Sequence, residues 1–175
     1  FIGYTNKDHE VITLPLTHSF GLNHVLCNIA AGGSVHIENG LLRLKKVFTA
    51  LKDNKSTGFP GTPSSFSIIL GRYSKNFIEA TESLKFIVIN SAPLPPTQAK
   101  EILKLIPHVK LLVYYGMTEA SRATFIKHSL RNEKLLYSVG KASPNVKISI
   151  IDDKNRFLSS DRVGEVVIKA ETVMK

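Results

Sequence analysis

The sequence predicts an α/β domain with three αβα layers around a mostly parallel sheet, followed by a few antiparallel strands of an incomplete small β-barrel. Three observations carry this expectation. From Val11 to about Tyr115, short β-branched runs alternate with amphipathic stretches of helical length. The runs are nearly continuous apolar blocks, as in strands covered on both faces. Beyond about Leu130, two further runs follow with no helical period between them, which favours antiparallel pairing in a separate sheet.

The predicted strands are residues 11–14, 34–37, 57–59, 86–89 and 109–114. The predicted helices between them are 22–31, 42–52, 63–73 and 95–106, giving a βαβαβαβαβ order. The second helix rests on Leu44, Val47, Phe48 and Leu51, which share one face at a spacing of three and four. Thr62 reads as the cap of the third helix, with Pro63 in its first turn, and Pro95 and Pro96 open the fourth. The later strands are 146–151 and 165–169, so residues 1–130 form the α/β subdomain and 131–175 a partial barrel. Unpaired edges in that second unit predict dimerisation or a disordered last segment.

The 175 residues carry 23 Lys and Arg against 14 Asp and Glu, a net charge of +9, which suits partners bearing phosphate. The basic residues are scattered, without an arginine-rich run, so nucleic acid is not the expected partner. The lone Cys27 excludes an intramolecular disulfide and a cysteine-rich zinc site. Asn23, His24 and Asn28 break the most apolar stretch, so no transmembrane segment is expected, and with no secretory signal visible the expected location is cytoplasmic. The six histidines lack metal-binding spacing; His36 reads as a core or edge residue, and Cys27 as core. No nucleophile elbow surrounds Ser64, Ser65 or Ser91.

Ligands of parallel sheets bind beyond the carboxyl ends of the strands, here at residues 15–21, 90–94 and 115–119. In the last of these, Tyr114-Tyr115-Gly116-Met117-Thr118-Glu119 combines a ring face, a glycine for close approach, a hydroxyl and a carboxylate. That set suits a nucleotide with its magnesium, and it also suits an ordinary strand-to-helix turn with a capping threonine.

Tyr115-Gly116-Met117-Thr118-Glu119 resembles the Tyr-Gly-x-Thr-Glu signature of the adenylate-forming superfamily of acyl-CoA synthetases, adenylation domains and luciferases. Four further segments are similar in the same order. Pro15-Leu16-Thr17-His18-Ser19-Phe20-Gly21 resembles Pro-x-x-His-x-x-Gly, Asn90-Ser91-Ala92-Pro93-Leu94 resembles Gly-x-Ala-Pro-Leu, and Val139-Gly140-Lys141 resembles Val-Gly-Lys. The run from Gly164 onward resembles the family's Gly-Glu run, with Ala170 in place of its second glycine.

This resemblance implies ATP-dependent activation of a carboxylic acid as an acyl-adenylate, then transfer to a thiol acceptor, coenzyme A or a carrier protein. It implies that Tyr115 stacks on adenine and that Ser91, Ala92 and Pro93 line the base beside Gly116 and Met117. Thr118 would contact the α-phosphate of ATP or AMP, and Glu119 would bind Mg²⁺. His18 would stand at the mouth of an acyl pocket walled by Phe20, Gly21, Gly116, Val139 and Gly140. Asn90 replaces a family glycine and is expected to take up a left-handed turn. Arg122 reads as solvent-exposed or as a partner for a polar end of the substrate. The family's phosphate loop, ribose-binding Thr-Gly-Asp and C-terminal lysine domain are not among these residues, so the piece by itself is expected to be inactive. The alternative is a basic α/β binding module without catalysis.

Overall fold

The computed structural model describes residues 1–174. Strand β1 (His9–Ile12) leads into helix α1 (Ser19–Ala30), and β2 (Ser34–Ile37) into α2 (Leu44–Asp53). Strand β3 (Gly58–Gly61) then leads into α3 (Pro63–Ala80), and β4 (Phe86–Ile89) into α4 (Pro96–Leu105) before β5 (Lys110–Tyr115). All four expected crossover helices are present. The sheet order is β2-β1-β3-β4-β5-β6-β7, parallel from β2 through β5. Pro60 has no N–H to donate, and the β1–β3 ladder is confined to the pair Glu10 and Gly58.

Strand alternation divides the core into two layers. Ile87, Ile89, Leu111 and Val113 pack with Val47, Leu51, Phe66 and Ile102 from α2, α3 and α4. Phe86, Val88, Leu112 and Tyr114 point the other way, onto Phe20 of α1. Phe59, Phe66 and Phe77 form a fully buried aromatic cluster with ring centroids 5.8 to 6.0 Å apart. Edge-to-face and tilted contacts of this kind add to the area each ring buries.

Helix α3 begins as expected, with the Thr62 hydroxyl accepting from the Ser65 N–H at 3.2 Å. It does not stop at Tyr73. The backbone leaves helical values there, at φ −132° and ψ 21°, then resumes to Ala80. The extension places Phe77 in the core, so tertiary burial outweighs the local break.

The sequence reading missed two strands. After Tyr115 the chain turns back as β6 (Thr124–His128), antiparallel to β5, instead of entering a helix. Strand β7 (Lys141–Ala142) then pairs with β6, after a 3-10 helix at Leu130–Tyr137 whose Leu136 joins the main core. Strands β8 (Lys147–Ile151) and β9 (Glu165–Lys169) form the separate antiparallel pair that was expected.

Candidate functional site

The loops after β1, β4 and β5 converge on a cavity of about 310 Å³. The β1 loop brings His18, the cap of α1, with Ser19 and Phe20 in that helix's first turn. No acidic side chain occupies this turn, so the positive end of the helix stays uncompensated and favours an anion nearby.

The β4 loop contributes Asn90 and Ser91. The left-handed backbone expected at Asn90 falls on Ser91 instead, at φ +80°. The Asn90 carboxamide oxygen accepts from the Ser91 N–H, and the turn falls one residue later than the sequence resemblance implied.

The β5 loop supplies Gly116, Met117, Thr118, Glu119 and Ser121. A Cβ on Gly116 would lie 2.5 Å from the Arg122 nitrogen and 2.9 Å from the Ala120 oxygen, so the tight reversal admits only glycine. Paired backbone bonds between Met117 and Ala120 close that reversal. Thr118 and Glu119 are exposed side chains at its tip. Thr118 is tied to the β1 loop through the Ser19 hydroxyl at 3.3 Å, and Asn23 donates to Ser121 at 3.3 Å. The Glu119 carbonyl accepts from the Met174 N–H at 2.8 Å, which leaves its carboxylate to the cavity.

Of the residues singled out in the sequence, His18, Phe20, Ser91, Gly116, Met117, Thr118 and Glu119 share this cavity. Tyr115, Val139 and Gly140 line a different one, about 510 Å³, against Ile148, Ile150 and Val166 of the antiparallel pair. Successive strand residues face opposite sides of the sheet, so Tyr114 and Tyr115 diverge. Gly21, Ala92 and Pro93 line neither cavity. A Cβ on Gly21 would come within 2.7 Å of the Pro15 oxygen, which makes it a packing glycine. Ser19, Asn23 and Ser121 were missed, with only Ser19, beside His18 at a helix start, carrying a signal, while Tyr114, quoted in the motif without a role of its own, lines the cavity.

Glu119 is the one carboxylate lining the cavity, and no group of three His, Cys, Asp or Glu side chains occurs among the described residues. That chemistry fits Mg²⁺, which takes one or two protein carboxylates and completes its shell with phosphate oxygens and water. It does not fit a metal that needs a full set of protein ligands.

Two other expectations are corrected nearby. Cys27 is half-buried and not a core residue. Arg122 is turned inward, with Nη1 donating to Cys27 Sγ at 3.1 Å and the guanidinium over the Tyr114 ring at 5.9 Å. Burial raises the Tyr114 phenol above its ordinary range, and the adjacent Arg122 charge opposes that rise.

The chain is 29% identical over 165 residues to 4-coumarate–CoA ligase-like 6 of Arabidopsis thaliana, covering 93% of this chain and 29% of that protein. It is 28% identical over 168 residues to the mitochondrial medium-chain acyl-CoA ligase ACSF2 of Mus musculus, covering 94% of this chain and 27% of that protein. It thus spans less than a third of the length of these relatives. The fold matches the O-succinylbenzoate coenzyme A synthetase of Bacillus subtilis solved with ATP and magnesium ion. That match has a TM-score of 0.81 at 22% identity, over 99% of this chain and 35% of that one. The family described as AMP-binding enzyme matches residues 2–175, and the chain belongs to it.

Proposed function

We propose that this chain is the central part of an enzyme that activates a carboxylic acid with ATP and passes the acyl group to the thiol of coenzyme A. One observation carries the reading: His18, Ser91, Thr118 and Glu119, drawn from three loops, meet at one cavity beyond the carboxyl ends of β1, β4 and β5.

Carboxylate attack on the α-phosphorus of ATP forms a carbon–oxygen–phosphorus anhydride and expels pyrophosphate. Two anions must be held in line while charge builds on the phosphoryl oxygens, so positioning and electrostatics dominate. The Thr118 hydroxyl donates to an α-phosphate oxygen, with Ser19 fixing its direction. The α1 N-terminus adds a positive end at the same place. Bound through the Glu119 carboxylate, Mg²⁺ would supply charge neutralisation at the phosphates. Tyr115 offers its ring to the adenine from the neighbouring groove, whose walls are apolar side chains of β8 and β9. His18 and Phe20 stand where the acyl group enters.

Residues 131–174 contribute the β8–β9 pair to a barrel completed by other parts of the enzyme, and the open edges of that pair favour dimerisation of the piece alone. The piece alone is inactive in this reading. The half-buried free Cys27 suits a reducing, cytoplasmic compartment. No helix among the described residues is long and apolar enough to cross a membrane.

The test is ATP–pyrophosphate exchange by the intact protein with a panel of carboxylic acids. Exchange that depends on the acid and collapses in Glu119→Ala supports the reading. Exchange by that variant at the wild-type rate removes Glu119 as the magnesium ligand, and no acid-dependent exchange at all overturns the function.

A further inference from the structure

Thr118 and Glu119 stand exposed at the tip of the reversal between β5 and β6, where no core packing fixes them. The paired backbone bonds of Met117 and Ala120 shape that reversal from within, at 3.2 and 3.3 Å. They do not fix where it sits over the sheet. Exposed loop tips are the mobile parts of a fold, so their placement depends on bonds from neighbouring elements.

Three of those bonds come from one helix. Ser19, Asn23 and Cys27 follow one another at intervals of four residues and form a single row along α1. Each meets the β5 loop, in chain order. The Ser19 hydroxyl reaches Thr118 at 3.3 Å, Asn23 Nδ2 donates to the Ser121 hydroxyl at 3.3 Å, and Arg122 Nη1 donates to Cys27 Sγ at 3.1 Å. At the end of the row Arg122 adopts a left-handed backbone, φ +56°, which is strained for a residue with a side chain and persists only where its surroundings hold it. The same helix presents His18 and Phe20 to the cavity. One rigid element thus carries the residues at the acyl entrance and grips the loop that faces the phosphates.

Asn23 is the middle tie of the row. It does not line the cavity, whereas its partner Ser121 does, so any influence of Asn23 on the site passes through the loop. Asparagine is also a poorer helix former than alanine, so α1 itself gains nothing from it.

We propose that Asn23 is a positioning residue for adenylation: through Ser121 it fixes the loop carrying Thr118 and Glu119 in register with His18 and Phe20. This rests on the function proposed above and adds to it a residue outside the cavity. In-line attack is sensitive to placement, and a shift of about 1 Å can cost on the order of a hundredfold in rate. A loosened loop spends only part of its time in register, so kcat falls while the affinities for ATP and acid change little.

The experiment is a cycle of Asn23→Ala, Ser121→Ala and the double variant in the intact protein. Asn23→Ala should lower kcat for acid-dependent pyrophosphate exchange about five- to tenfold, the scale of one lost hydrogen bond, with each KM within about twofold of wild type. In the Ser121→Ala background the same change should lower kcat no further. An unchanged kcat, a raised KM with kcat intact, or independent losses in the double variant overturns the proposal. Hydrogen–deuterium exchange over residues 116–121 is the second readout and needs no catalysis. Asn23→Ala should speed exchange at the Met117 and Ala120 amides at least about threefold, and unaltered exchange there defeats the assignment. Faster loop exchange in Asn23→Ala, together with no acid-dependent pyrophosphate exchange by wild type, would sustain the Asn23 tie and defeat the adenylation reading instead.

Discussion

The Ser19 and Thr118 hydroxyls stand 3.3 Å apart although 99 residues separate them in the chain. The contact joins the start of α1 to the tip of the β5 loop, so the threonine at the proposed phosphate position is aimed by a residue on another loop. Each single alanine substitution, Ser19→Ala and Thr118→Ala, is expected to lower pyrophosphate exchange. The double variant should lose less than the two effects combined, with a coupling of about 1 kcal/mol. Additive losses in a double-mutant cycle would show that the two hydroxyls act independently.

Gly140 sits at φ +94°, and a Cβ there would overlap the Phe125 carbonyl oxygen and the Ile126 nitrogen of β6. The strand backbone cannot yield as a flexible side chain would. Gly140→Ala is therefore expected to destabilise the protein by about 2 to 4 kcal/mol, combining left-handed strain with overpacking. Urea unfolding measures it, and a change below about 0.5 kcal/mol, the range of an ordinary surface substitution, would contradict the close packing of this turn.

Glu10 is fully buried and bonded to Tyr4, His24 and Asn28. Burial and the Glu10 charge push the Tyr4 phenol far above its usual range, so Tyr4 keeps its proton and donates a hydrogen bond to the carboxylate. Glu10→Ala leaves the Asn28 amide buried without its partner and His24 with only the Tyr4 hydroxyl, at 2.8 Å, and should cost about 3 to 5 kcal/mol. Tyr4→Phe removes the hydroxyl's contacts to Glu10 and His24 but leaves Glu10 bonded to His24 and Asn28, and should cost about 1 to 2 kcal/mol. Reversal of that order in chemical denaturation would overturn this account of the network.

Burial holds His128 below its ordinary 6.5, with the Ser138 carbonyl at 3.1 Å from Nε2 partly opposing the shift. Between the depressed folded value and 6.5, the unfolded chain binds more protons, so stability rises with pH across that window. Its contribution is fully present above 6.5 and declines as the medium is acidified. His128→Gln keeps a donor for Ser138 without titrating, and it should flatten the slope of unfolding free energy just below pH 6.5. An unchanged slope would assign the pH dependence to other groups, such as His9, whose value burial also lowers.

Much of the fold was legible because its evidence is local. The spacing of Val47, Phe48 and Leu51 describes a helix face before any partner is known, and all three are buried against the sheet. Thr62 and Pro63 mark a helix start by their own hydrogen-bonding capacity. Strand β6 was not legible, because Thr124–His128 carries neither a continuous apolar run nor a regular alternation of burial, and only its pairing with β5 defines it. The helix break at Tyr73 was visible as an end but not as a kink, since burial of Phe77 and Ala80 in the core keeps the following turns in place.

For the site, the motif resemblance marked His18, Ser91, Thr118 and Glu119 as members of one set, and the parallel βα order marked the end of the sheet where they belong. The sequence by itself thus determined the fold class, the family and the chemistry available at the strand ends, because periodicity and motif spacing are properties of neighbouring residues. Tertiary structure alone decided that Tyr115 faces a separate groove, that left-handed strain falls on Ser91, and that Arg122 turns inward beneath Tyr114. Those outcomes depend on which side chains from distant elements exclude water around them, and desolvation by remote partners leaves no mark in local sequence.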